Sequence, residues 1–143
     1  MSNFFKATIP NTVSALRVGY LAHARYIIIP STKFSRNFLN KLADCGVISH
    51  FEDYRTTGRL QKKTTLMAYV RIFLSYVDSK PSIRELILIT KSSQHYYICY
   101  RTLQSYMLTR RGILILNTSR GILTAGEAVK CRIGGCILLW VLF

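Results

Sequence analysis

The stretch Asn117-Thr118-Ser119-Arg120-Gly121 concentrates groups that can hold a nucleic acid. Its hydroxyls and amide donate and accept hydrogen bonds within a single turn. Arg120 adds a charge that can fork onto a phosphate. Gly121 permits a positive φ or a close approach to the backbone. Such a set can read an RNA stem through its backbone, 2′-hydroxyls and base edges in the shallow groove. Taken alone it also fits an ordinary surface turn. A second cluster is His95-Tyr96-Tyr97-Ile98-Cys99-Tyr100-Arg101. On a strand, Tyr97 and Cys99 would face one side and Tyr96, Ile98 and Tyr100 the other. One side must meet the core, and the other can stack on RNA or hydrogen-bond to it. Tyrosine serves equally well as packing. Arg59, Lys62-Lys63 and Arg110-Arg111 are charge clusters that fit either a solvated surface or polyanion contacts.

Other chemistry finds little support. The six carboxylates form no recognisable acid/base motif. There is no Gly-Lys-Ser/Thr phosphate loop, no His-Glu-x-x-His and no Gly-x-Ser-x-Gly. Cys45, Cys99, Cys131 and Cys136 include no Cys-x-x-Cys pair, and His23, His50 and His95 do not cluster with them. These spacings predict neither a metal site nor a disulfide framework, but reduced and mostly buried thiols. A cysteine nucleophile served by a distant histidine stays open, because that arrangement is spatial. The expectation is a protein that is not an enzyme, with no cofactor, no metal and no small-molecule substrate.

Charge narrows the partner. Twenty Lys and Arg against six Asp and Glu give +14, and the pI is about 10.1. A compact chain so charged needs a polyanion: RNA, DNA or an anionic membrane. The most apolar run, Ile133 to Phe143, is far short of the ~20 residues of a spanning helix. The first sixteen residues hold one basic group, Lys6, and no apolar core, so neither a signal peptide nor an Arg-rich presequence is expected. Half of the residues are hydrophobic, enough for a packed core. A basic membrane-surface protein and an RNA-binding protein both remain open at this level.

The elements that must position these groups follow from periodicity. A helix starts near Ile9 or Asn11, with Pro10 in its first turn and Val13, Leu16 and Tyr20 on one face. Arg25 to Ile29 is a strand ending at Pro30. Ser31 or Thr32 caps a second helix with the stripe Phe34, Phe38, Leu42 and a stop at Gly46. Val47 to Glu52 is extended, residues 54–65 form a basic hairpin loop, and Val70, Ile72, Leu74 and Tyr76 alternate along a strand. Asp78 to Pro81 is a turn and the domain boundary. Strands follow at Ile83–Ile89, Tyr96–Tyr100 and Ile113–Leu116, with a short helix at Leu103–Leu108. Thr124-Ala-Gly-Glu127 opens another short helix by a capping box. Gly134-Gly135 turns into the last strand. The fold class is α/β (α+β) in two small modules. Residues 1–78 run helix-strand-helix-strand-strand, and residues 79–143 are β-rich with short helices.

Read together, these segments resemble the family of bacterial-type small-subunit ribosomal protein number eight. Asn117-Thr-Ser-Arg-Gly is similar to that family's Ser-Thr-Ser-Lys-Gly loop, Thr124 to Ala128 to its Thr-x-x-Glu-Ala turn, and Gly134-Gly135 to its Gly-Gly-Glu. Leu16-Arg17-x-Gly19, Ile29-Pro-Ser-Thr-Lys33, Gly46-Val-Ile48 with Phe51, Leu74 to Pro81 and Thr90 to Tyr97 match in the same order. The resemblance implies a structural constituent of the small subunit that grips a stem in the central domain of its rRNA. The implied partners are that rRNA and neighbouring small-subunit proteins, with no membrane. It places RNA contacts at Ser31, Thr32 and Lys33 in the first module. In the second they are Tyr97, Asn117, Thr118, Ser119, Arg120, Gly121, Gly134 and Gly135. Three positions depart from the pattern: Asn117 replaces Ser, Val18 replaces Asn, and Cys136 replaces Glu. With the Tyr/Phe/Ile-rich drift and the scattered cysteines, they suggest an organelle-encoded mitochondrial version rather than a plastid or bacterial one.

Overall fold

A computed structural model describes residues 2–56, 67–91 and 93–143, with side chains at 8–54, 68–91 and 93–143. Helices and antiparallel sheets are combined, an α+β fold. The chain divides into two compact units: Ser14–Pro81, and Ser82–Phe143 together with Met1–Val13.

Helix α1 spans Ser2–Leu21, so it begins well before the expected start near Ile9, and Pro10 lies inside it. Pro10 has no N–H to donate, which forfeits one helical hydrogen bond. The buried stripe nevertheless includes Ile9 ahead of the proline, with Val13, Leu16 and Tyr20 behind it. Burying a side chain of that size contributes about 1.5–3 kcal/mol, enough to offset one lost bond.

In the unit Ser14–Pro81, β1 (Tyr26–Pro30), β2 (Ile48–Thr56) and β3 (Met67–Leu74) form a sheet in the order β1-β3-β2, antiparallel throughout. Helix α2 (Lys33–Asp44) buries Ser35, Phe38, Leu39 and Leu42. Thr32 caps it: Oγ1 of Thr32 accepts from the Ser35 N–H at 3.0 Å, and Ser35 Oγ accepts from the Thr32 N–H at 2.9 Å. At the other end Gly46, with φ +77°, closes a Schellman motif. Its N–H reaches the Ala43 carbonyl at 3.0 Å, and the Val47 N–H reaches that of Leu42 at 2.9 Å. Val70, Ile72 and Leu74 are buried as their alternation predicted. The basic loop expected at 54–65 is shorter, because Tyr54, Arg55 and Thr56 pair with β3. Its remainder, with Arg59, Lys62 and Lys63, lies outside the described residues. Two short strands, β4 (Tyr76–Val77) and β5 (Lys80–Pro81), flank a turn in which Asp78 and Ser79 both have positive φ.

The other unit is built on a second sheet. Its strands are β6 (Glu85–Leu88), β7 (Tyr97–Ile98), β8 (Ile113–Thr118), β9 (Gly121–Thr124) and β10 (Gly135–Leu142). Strand β10 sits in the middle and pairs with β6, β7 and β8, while β9 pairs with β8. Helices α3 (Tyr100–Thr109) and α4 (Ala125–Lys130) complete it. Leu103, Leu114, Leu116, Ala125 and Ala128 form a core cluster, against which Ile98 and Trp140 pack. The expected strand Tyr96–Tyr100 reduces to two residues, and α3 opens at Tyr100, three residues before its expected start. The capping box at Thr124 is present: Glu127 Oε2 accepts from the Thr124 N–H at 2.9 Å.

Candidate nucleic-acid interface

Three chain segments converge on one open groove. It is lined by Tyr97, Ile98 and Cys99, by Thr118 and Ser119, and by Gly134 and Gly135. The sheet register brings them together. Gly135 stands opposite Ile98, and Cys136 stands opposite both Tyr97 and Asn117. The approach is so close that only glycine fits. A Cβ on Gly134 would run into the Ile98 carbonyl oxygen and lie 3.0 Å from Cys99 Cα. A Cβ on Gly135 would lie 2.9 Å from Thr118 Cγ2. The two glycines therefore bind the groove walls together by having no side chains.

The hairpin between β8 and β9 forms one wall. Thr118 pairs with Gly121, leaving Ser119 and Arg120 as a two-residue loop. Gly121 has φ +100°, where a Cβ would be strained. Thr118 Oγ1 donates to the Gly121 carbonyl at 2.9 Å and accepts from the Arg120 N–H at 3.2 Å. Thr118 thus holds the turn. Ser119 and Arg120 are exposed at its tip, and no hydrogen bond within the described residues occupies the Ser119 hydroxyl. Tyr97, 78% exposed, offers its ring and phenol to the same groove. Asn117, half-buried, sits inside β8.

Ser31, Thr32 and Lys33 belong to the other unit. Thr32 is engaged in the cap described above, and Ser31 Oγ accepts from Arg36 Nε at 3.2 Å. Lys33 is exposed at the first turn of α2, where helix N–H groups favour an anion.

Ile98 and Cys99 line the groove beside Tyr97, although strand alternation would set Ile98 on the opposite side from the other two. Cys99 is the N-cap of α3 and has extended backbone. Its Sγ lies 3.1 Å from the Thr102 hydroxyl, and that hydrogen bond draws the thiol below its ordinary pKa. The expectation of mostly buried cysteines is corrected. Only Cys136 is buried; Cys45 is intermediate, and Cys99 and Cys131 are exposed. The reason is position: Cys45 and Cys131 end helices α2 and α4, and Cys99 begins α3. Cys136 alone stands within a central strand, with its Sγ 3.7 Å from the Thr90 hydroxyl. Among the described residues no group of three His, Cys, Asp or Glu is placed to hold a metal. No helix among them is long and apolar enough to cross a membrane.

Comparison with known proteins agrees with the chain-long order of motifs. The family described as "Ribosomal protein S8" matches residues 7–142. The chain is 32% identical over 130 residues to "Small ribosomal subunit protein uS8m" of Acanthamoeba castellanii, covering 90% of this chain and 94% of that one. It is 32% identical over 133 residues to "Small ribosomal subunit protein uS8" of Baumannia cicadellinicola subsp. Homalodisca coagulata, covering 93% and 95%. It is also 32% identical over 135 residues to "Small ribosomal subunit protein uS8c" of Anthoceros angustus, covering 93% and 96%. A small α+β chain of charge +14 is of the class that binds nucleic acid. The chain belongs to the ribosomal protein S8 family. It is a structural, non-enzymatic constituent of the small ribosomal subunit. Mitochondrial, plastid and bacterial relatives match it equally well, so the comparison fixes the ribosome and not the compartment.

Proposed function

We propose that the groove between residues 97–99, 118–119 and 134–135 grips a stem in the central domain of small-subunit rRNA. The observation that carries this reading is the convergence, across glycine-tight contacts, of a free Ser119 hydroxyl, an exposed Tyr97 and Arg120 at the hairpin tip. Ser119 would hydrogen-bond to sugar or base edges, Tyr97 would stack or donate through its phenol, and Arg120 would meet a phosphate. Asn117, Thr118, Gly121, Gly134 and Gly135 would shape the wall and expose backbone groups. Ser31, Thr32 and Lys33 form a second, smaller contact, in which Lys33 and the α2 N-terminus face phosphate. Affinity would come largely from Lys and Arg on phosphates, and specificity from the groove.

The compartment belongs to the same proposal. The relative from Acanthamoeba castellanii is a uS8m protein. The aromatic-rich composition and the four scattered free thiols suit a mitochondrial small subunit, encoded within the organelle. The test is equilibrium binding of the purified chain to the isolated stem and to an unrelated duplex over a salt series, with co-sedimentation on mitochondrial small subunits. The stem should bind more tightly than the duplex, with a log–log salt slope of roughly −3 to −6. Equal affinity for both RNAs would defeat the groove, and absence from mitochondrial subunits would defeat the compartment.

A further inference from the structure

The sheet of the unit Ser14–Pro81 has a second face, which the groove does not use. Alternation along the strands places Tyr26 and Ile28 of β1, Arg71 and Phe73 of β3, and His50, Glu52 and Tyr54 of β2 on it. Their contacts agree. Arg71 lies over the Tyr26 ring at 5.0 Å and over the Tyr54 ring at 4.7 Å. His50 stacks on Phe73 with centroids 4.3 Å apart and planes 12° apart, and Tyr26 meets Phe73 at 6.0 Å. Tyr26 and Ile28 are 46% and 44% exposed.

The charges on this face run against the rest of the chain. Its cation is withdrawn: Arg71 is covered by two tyrosines, and its Nε is buried without a hydrogen-bond partner. Its anion is presented: the Glu52 side chain is 57% exposed. A chain of net charge +14 therefore carries an aromatic patch whose accessible ionised group is a carboxylate. A phosphate would meet there the Glu52 carboxylate, whose Oε1 lies 3.7 Å from His50 Nε2, and a guanidinium already stacked on two rings. Tyr and Arg packed at the centre, with few charges around them, have the composition of a protein–protein interface core.

We infer that this face docks a neighbouring protein of the small subunit, through an apolar segment carrying a Lys or Arg that meets Glu52. The inference rests on the ribosomal reading above, since it takes the partner from the same particle. An apolar segment carrying a cation complements this face, where the Glu52 carboxylate stands beside aromatic rings. Tyr26, Phe73 and Ile28 supply the apolar contact, and Arg71 stiffens the two tyrosines from beneath.

The test uses the free chain and intact small subunits. Hydroxyl-radical labelling read by mass spectrometry follows Tyr26 and Ile28. Adding the isolated rRNA stem should leave their oxidation rates unchanged. Incorporation into the subunit should lower them by about fivefold or more, as burial in an interface core requires. Benzoylphenylalanine in place of Ile28 should then give, in assembled subunits, a photo-adduct that survives ribonuclease and contains a peptide of another protein. An adduct removed by ribonuclease, or one containing this chain's own peptide, overturns the proposal, as does full labelling within the subunit. A chain that binds the stem and co-sediments yet stays labelled defeats the docking face alone. A chain that does neither defeats the function proposed above together with it.

Discussion

Ser31-Thr32-Lys33 and Thr118-Ser119-Arg120 are nearly the same triplet, two hydroxyls and a cation, yet the fold treats them differently. At the start of α2 both hydroxyls are taken: Thr32 caps the helix with Ser35, and Ser31 accepts from Arg36. In the hairpin one hydroxyl is taken, since Thr118 holds the turn, and Ser119 is left at the tip. A helix start needs its hydroxyls for its own unsatisfied N–H groups. A two-residue hairpin loop is closed by a single threonine and leaves the next side chain to a ligand. Residue types alone do not tell a hydroxyl that holds the fold from one left at the surface; the local backbone does.

The sharpest way to break that contrast is at the glycines. Gly134→Ala drives a methyl into the backbone of Ile98 and Cys99. Urea unfolding should show a loss of about 1–3 kcal/mol. Stem affinity should fall by about tenfold or more, equal to about 1.4 kcal/mol. Gly46→Ala has open space but a φ of +77°, so it should cost about 1–2 kcal/mol of stability and leave stem binding unchanged. Equal binding losses in the two variants would remove the distinction between the units.

Thr32→Ala comes next. It should destabilise the chain by about 0.5–2 kcal/mol, as loss of an N-cap does, and lower affinity for the stem less than Ser119→Ala does, because its contact is the smaller one. Ser119→Ala should do the reverse, with an unchanged melting temperature and about 1 kcal/mol lost against the cognate stem only. A Thr32 variant that bound RNA poorly but melted normally would exchange the two roles. Arg120→Gln is a smaller probe: binding to both RNAs should weaken alike, and the salt slope should flatten by about 1. The finest is chemical. Maleimide at neutral pH should label Cys99 first, because it is exposed and its thiol is drawn down by Thr102, and Cys136 last, because it is buried. Bound stem should slow Cys99 and leave Cys131 unchanged.

Much of the framework was legible from the sequence. The α2 stripe and the β3 alternation follow from spacing, because a helix or strand that buries one face must repeat its apolar residues at that period, and the cap at Thr32 and the capping box at Thr124 follow from residue type. The region from Tyr96 to Tyr100 was not. Its aromatic, β-prone residues read as one strand, whereas the chain turns at Cys99 and begins α3. Propensity gave way there to the packing of Leu103 on Leu114 and Leu116. Cys99 lines the groove with Tyr97 as the alternation sets out, and Ile98 lines it too, where the chain turns into α3. The hydroxyl and glycine positions drew attention as a motif, but the division of labour between Thr118 and Ser119 depends on hydrogen bonds that no spacing encodes.

Strand β10 lies between partners that all precede it in the chain. Synthesis therefore delivers the keystone after the stones it holds: β6 and β7 precede the strand they pair with, and β8 has β9 alone beside it. The unit Ser14–Pro81 has all three strands of its sheet by then. A nascent chain thus holds every strand of one sheet before the strands of the other are joined. The groove, which needs Gly134 and Gly135 to draw its walls together, comes into being only as the last strand slides home. A chain cut short before Gly134 would lack the strand that joins β6, β7 and β8, and with it the groove.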